Sequence, residues 1–190
     1  MLSLQLRASK VTITSPPDGF DTEALDGLGL CPDCSAMEKQ LEQPDFMALA
    51  LSEAQKAGDR GEVPVGAVLV DPTVQAVVAS AGNQVEADHD PTAHAEMLVI
   101  RAAAAAHSDA RLAGCDLYVT LEPCPMCATA ISFARLRRVE FGAYDPKGGG
   151  VDHGPKIFSQ PTCHHQPEVI GGVRELEAAE MLKSFFAERR

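Results

Sequence analysis

Leu117-Tyr118-Val119-Thr120-Leu121-Glu122-Pro123-Cys124-Pro125-Met126-Cys127 is the stretch from which the rest of the chain can be read. Its first five residues are aliphatic, aromatic or β-branched, the composition of a buried strand. The run ends at Pro123, which suits the first position of a helix. Cys124 and Cys127 then fall three apart in that helix, project from one face and can grip one ion together. Strands that run straight into helices build a sheet covered by helices.

Outward from this stretch the pattern repeats. Asp45 is placed to cap a helix with Phe46, Leu49, Ala50 and Ala54 on one face, ending near Gly58. Val63 to Val70 is a strand-like run closed by Asp71-Pro72, and Gln75 to Ser80 is the returning strand of a hairpin. Asp90 is a good N-cap and Pro91 fits the first turn of a helix that runs through Ile100 into the alanines at 102–106. Beyond the cysteines, Arg138 to Ala143 alternates as a strand and a Gly/Pro-rich loop spans Asp145 to Pro167. Val169-Ile170 adds a short strand, and Arg174 to Arg190 forms a closing helix. The order α-β-β-α-β-α-β-(β)-α predicts a three-layer α/β/α protein with a central mixed sheet of about five strands.

His94-Ala95-Glu96 stands thirty residues before the cysteines. One imidazole and two thiolates supply three of the four tetrahedral positions of Zn²⁺ and leave the fourth for water, the donor set of a catalytic site; a structural site closes with a fourth His or Cys. Glu96 is then a spare carboxylate, a candidate general acid/base beside that water. The H-x-E and P-C-x-x-C pieces together are the signature of zinc-dependent nucleobase deaminases, so hydrolytic deamination of a nucleobase amidine is the expected chemistry. Both clusters are expected at helix N-termini, where unpaired N–H groups and the helix dipole favour negative charge.

The chain has 190 residues, 45% hydrophobic, and a formal net charge of −11. That charge argues against broad nucleic-acid binding driven by counterion release, so any nucleic-acid contact must be local. Six cysteines, at positions 31, 34, 115, 124, 127 and 163, are expected as free thiols and zinc ligands. Met1 to Thr14 alternates apolar and polar residues without a continuous apolar run, so neither secretion nor membrane insertion is expected and the location is cytoplasmic. Residues 1–43 hold no sustained period and read as a disordered N-terminal extension; 44–190 read as the deaminase domain. Cys31-Pro32-Asp33-Cys34 is half a zinc knuckle without a second pair and reads as incidental. Cys115 reads as a small core residue. Cys163-His164-His165 with His153 has metal-binding chemistry, but an irregular exposed loop explains it as well.

The domain resembles the bacterial tRNA-specific adenosine deaminases of the cytidine deaminase-like superfamily. The resemblance rests on Glu62-Val63-Pro64-Val65-Gly66-Ala67-Val68, Asp90-Pro91-Thr92-Ala93-His94-Ala95-Glu96, Tyr118 to Cys124, and Phe141-Gly142-Ala143 with Asp145 and Lys147. The stretches around His94 and the cysteines also occur in bacterial guanine deaminases, so Val119-Thr120-Leu121 and Phe141 to Lys147 carry the choice. The resemblance implies a cytidine deaminase-like fold with one Zn²⁺ per subunit, held by His94, Cys124 and Cys127, with Glu96 as catalytic acid/base. It implies that Asn83 binds the flipped base and that Asp145 lies near the sugar 2′-hydroxyl. Arg135, Arg137, Arg138, Lys147, Arg189 and Arg190 become candidate phosphate contacts. The substrate would be the anticodon stem-loop of an arginine tRNA, with adenosine converted to inosine at the wobble position by a homodimer. Two other readings stay open: a free-base or nucleotide deaminase acting on guanine, cytosine or deoxycytidylate, and a non-catalytic, zinc-stabilised RNA-binding protein. The loop from Gly148 to Pro167 is richer in Gly, Pro and His than the family form.

Overall fold

The structure, a computed structural model, describes Thr12–Ile13 and residues 44–189. The expected disorder of residues 1–43 and the reading of Cys31 and Cys34 lie outside the described residues, Thr12–Ile13 excepted. The strands are β1 (Thr12–Ile13), β2 (Gly66–Asp71), β3 (Ala76–Gly82), β4 (Asp116–Leu121), β5 (Arg138–Ala143) and β6 (Glu168–Ile170). They form one sheet in the order β1-β3-β2-β4-β5-β6. The pairs on the β2 side are antiparallel and β4-β5-β6 are parallel, so the sheet is mixed, as expected. The five strands read from the sequence are all present, and β1 adds a two-residue sixth by pairing with Ser80 and Ala79 of β3.

Among the described residues, four helices cover the sheet, α1 (Phe46–Asp59), α3 (Ala95–His107), α4 (Pro125–Ala134) and α5 (Glu175–Ala187), and the short α2 (Val85–Asp88) follows β3 without burying a residue. Alternation along β2 assigns its residues to two cores. Ala67 and Leu69 pack with Leu98, Val99 and Ile131 of α3 and α4, while Val68 and Val70 pack with Met47, Ala50, Leu51 and Ala178 of α1 and α5. Fully buried side chains such as Leu69, Leu117 and Ile131 each contribute about 1.5–3 kcal/mol by leaving water. Gly66 and Gly82 face each other in register, and a Cβ on Gly66 would stand 2.1 Å from the Ala50 carbonyl oxygen. Bare backbone at these positions lets α1 lie directly on the sheet.

Asp45 caps α1 as expected, its Oδ1 accepting from Ala48 N at 2.8 Å. Leu49, assigned from sequence to the buried face, is 45% exposed; Met47, Leu51 and Ala57 are buried instead. Two other helix starts move. α3 begins at Ala95 with His94 as N-cap, not at Pro91. Asp90 spends its carboxylate on the backbone N–H and hydroxyl of Thr92, at 2.8 and 2.7 Å, closing a turn rather than capping a helix. Likewise α4 begins at Pro125 with Cys124 as N-cap, so Pro125 takes the first helical position expected of Pro123. The short α2 has no counterpart in the sequence reading. No helix among the described residues is long and apolar enough to cross a membrane.

Candidate metal centre

Parallel strands deliver their ligand-bearing residues at their C-terminal ends, and here β4 runs through Glu122 and Pro123 into Cys124. His94 and Cys124 occupy equivalent positions as the N-caps of α3 and α4. Both have extended backbone, and neither uses its side chain to cap its own helix. The side chains turn toward each other: His94 Nδ1 lies 3.6 Å from Cys124 Sγ and 3.5 Å from Cys127 Sγ. Donors about 2.0 Å (N) and 2.3 Å (S) from one tetrahedral Zn²⁺ stand about 3.6 Å apart, so the three side chains fit that ion. They are the only metal-capable His/Cys/Asp/Glu group among the described residues.

The electrostatics of these groups favour a cation. The Cys127 sulfur, with His94, lowers the Cys124 pKa to about 4, while the neighbouring Cys124 sulfur and burial push Cys127 up. The Cys124 sulfur also raises the His94 pKa against the opposing effect of burial. One thiolate thus forms readily and opposes the second, an opposition that a divalent cation removes. Glu96 is 4% exposed and its Oε2 has no hydrogen-bond partner among the described residues. Burial raises its pKa above the ordinary carboxylate value.

A cleft of about 610 Å³ brings His94, Glu96 and Cys124 together with Asn83 and Asp145. Cys127 is buried beside them. Asn83 follows β3 and donates through Nδ2 to Glu62 Oε2 at 3.1 Å, while Glu62 Oε1 accepts from Ala87 N at 2.8 Å. Asp145 follows β5, and its Oδ1 accepts from Lys147 N and Gly148 N, each at 3.0 Å. Glu122, buried at the end of β4, accepts from the backbone N–H groups of Asp145, Val151, Asp152 and His153 and meets the His153 ring at 2.7 Å. Burial alone would raise its pKa, but these bonds outweigh burial and lower it. Sequence reasoning quoted Glu62 and Glu122 without giving them a task. The available signal was an acidic residue at each edge of an apolar strand.

The candidate phosphate contacts divide. Arg137 is engaged by both carboxylate oxygens of buried Asp116, and Arg138 pairs with Glu168 at 2.9 Å and Glu140 at 3.4 Å. Lys147 and Arg189 stand at the rim beside Asp145, with the Arg189 guanidinium 3.6 Å above the Phe185 ring. Arg190 lies outside the described residues. His153, Cys163 and His165 do not gather around a second ion. His153 pairs with Glu122, the Cys163 thiol donates to the His165 carbonyl at 3.1 Å, and the His165 ring meets the Leu136 carbonyl at 2.7 Å. The four cysteines among the described residues form no disulfide, and Cys115 is buried as expected of a core residue.

Residues 40–143 match the family described as the cytidine and deoxycytidylate deaminase zinc-binding region. The family match, the fold and the cluster of His94, Cys124 and Cys127 define a zinc-dependent deaminase, and the ion is Zn²⁺, one per chain. Within that class the tRNA-specific adenosine deaminase of Agrobacterium fabrum is 58% identical over 149 residues, covering 78% of this chain and 97% of the relative. A solved structure from a study of A-to-I editing by tRNA:A34 deaminases at the wobble position of transfer RNA is 59% identical. It covers 72% of this chain and 98% of its own, with a TM-score of 0.70. Guanine deaminase from Bacillus subtilis is more distant, at 31% identity and a TM-score of 0.52 over 76% of this chain and 91% of its own. The chain belongs to the tRNA-specific adenosine deaminase family.

Proposed function

We propose that the chain converts adenosine to inosine at the wobble position of a tRNA anticodon loop, that of an arginine tRNA. The observation that carries this reading is Glu96, a buried carboxylate with an unpartnered oxygen beside a three-donor set that fits Zn²⁺. His94 Nδ1, Cys124 Sγ and Cys127 Sγ would hold the ion, which when bound supplies a Lewis acid that lowers the pKa of water. Glu96 takes a proton from the attacking water and delivers it to N1 of adenine as C6 is attacked; it then takes the proton of the hydroxyl now on C6 and passes it to the departing amino group, so that ammonia leaves and the C6 carbonyl of inosine remains. Its pKa, raised by burial, suits both accepting and returning that proton.

Asn83 hydrogen-bonds the flipped base, with its amide held in one orientation by Glu62. Asp145, on the loop after β5, faces the sugar, where a 2′-hydroxyl distinguishes RNA from DNA. Lys147 and Arg189 supply local positive charge on an otherwise acidic chain. A base in a single-stranded loop leaves its stack cheaply, so affinity does not require a high net positive charge. The enzyme works as a cytoplasmic homodimer in this reading. Phe133 on α4, 71% exposed, offers apolar surface for the second copy; light scattering that finds only monomer at assay concentration would overturn this element. The activity itself is tested by incubating zinc-loaded protein with an arginine tRNA anticodon stem-loop and, separately, with guanine, cytosine, cytidine and deoxycytidylate. Inosine in the RNA is the expected result, and ammonia released only from the small molecules would overturn the reading.

A further inference from the structure

Glu122 is buried, yet none of its side-chain bonds reaches a metal ligand or Glu96. All five go to one segment. Oε2 accepts from Asp145 N at 3.0 Å and lies 2.7 Å from His153 Nδ1; Oε1 accepts from Val151, Asp152 and His153 N at 3.2, 2.9 and 2.9 Å. The backbone adds two ties at the same place, Glu122 N to Ala143 O and Gly150 N to Pro123 O, both 2.8 Å. The loop also touches the carboxylate with bare backbone. A Cβ on Gly149 would stand 2.5 Å from Glu122 Cδ and Oε1 and 2.6 Å from the Asp145 carbonyl oxygen. The glycine-rich composition of this loop therefore has a steric cause. A buried carboxylate is costly unless its oxygens are satisfied, so loop and carboxylate hold each other in one arrangement.

We propose that Glu122 is a positioning residue for substrate: it fixes residues 145–153 against the ligand-bearing turn so that Asp145 stands at the mouth of the cleft. It thereby governs RNA binding rather than the proton transfers at Glu96. The inference rests on the reading of Asp145 as the group facing the sugar. Glu122→Gln replaces an accepting oxygen with an amide donor that faces backbone donors, and Gly149→Ala displaces the loop while leaving every polar group in place.

The test is a double-mutant cycle on zinc-loaded protein with an anticodon stem-loop as substrate, reading kcat and KM separately together with bound zinc. Glu122→Gln and Gly149→Ala are each expected to raise KM about tenfold while kcat stays within about threefold and zinc remains one per chain. Asp145→Ala is expected to do the same, and Glu122→Gln/Asp145→Ala to be no worse than the poorer single variant, because both changes remove one interaction. Multiplicative effects in the double variant, loss of zinc, or a fall in kcat alone would overturn the proposal. If Glu122→Gln does not fold, Gly149→Ala replaces it in the cycle with the same expectations. A raised KM in Asp145→Ala with no change in Glu122→Gln and Gly149→Ala overturns the positioning role only. An unchanged KM in Asp145→Ala overturns the reading of Asp145, and the positioning role with it.

Discussion

A carboxylate buried with one oxygen unpartnered is expensive to keep, and Glu96 is retained in that state beside the zinc ligands. Glu96→Ala is expected to keep its fold and one zinc per chain while inosine formation falls by about 10²–10⁴; metal analysis and turnover on the stem-loop check both halves, and surviving activity would remove Glu96 from the chemistry. Asp71 illustrates a different use of a carboxylate. Its Oδ1 accepts from the hydroxyl and N–H of Thr73 in the turn between β2 and β3, and these bonds lower its pKa from 3.8. A lowered folded pKa means stability that is complete above the unfolded value and is lost as pH falls through the folded one. Asp71→Asn should therefore show its largest Tm deficit near neutral pH, with the gap closing below pH 3.8, as thermal melts across pH would record. The cluster of His94, Cys124 and Cys127 was legible in the sequence because coordination chemistry favours those residue types at that spacing, and Glu96 stood out as the carboxylate two residues from His94. The tasks of Glu62 and Glu122 were not, because their partners are side chains and backbone amides 21 to 31 residues away, which no local pattern encodes.

At the level of elements, the strands were read to within a few residues because apolar and β-branched runs mark strands buried on both faces, such as β2 and β4, while helix starts were read less well. Asp90 and Pro91 carry the residue types of a helix start but serve a turn, Pro123 lies just before α4, and the caps fall on His94 and Cys124, whose side chains are used elsewhere. A metal site at a cap position hides the cap from sequence reading, since the usual Ser, Thr, Asp or Asn is displaced. The seating of α1 on the sheet gives a sharper test. Gly66→Ala would place a methyl 2.1 Å from the Ala50 carbonyl oxygen and 2.4 Å from Ala54 N, both of them backbone atoms that cannot rotate away. Overpacking of this kind costs about 1–3 kcal/mol or more. Urea unfolding should show a lowered midpoint, and an unchanged one would mean that α1 is free to lift from the sheet.

For the molecule as a whole, a bound ion would tie together the starts of two helices that already pack on each other, because His94 opens α3 and both cysteines belong to the start of α4. A ligand bound only by the folded state stabilises it by about 2.7 kcal/mol when present at a hundred times its dissociation constant. Chelation should therefore lower the Tm by several degrees and abolish activity, with Zn²⁺ restoring both; calorimetry showing no shift would mean that the ion does not bind the folded chain in preference to the unfolded one. The same architecture separates two kinds of part. The His94, Cys124 and Cys127 cluster and Glu96 are mounted on the starts of α3 and α4, which share one core, whereas the segment after β5 is tied to the end of β4 by the Glu122 carboxylate and two backbone hydrogen bonds. A change confined to the exposed residues of that segment is therefore expected to alter which RNA is bound while zinc stays at one per chain.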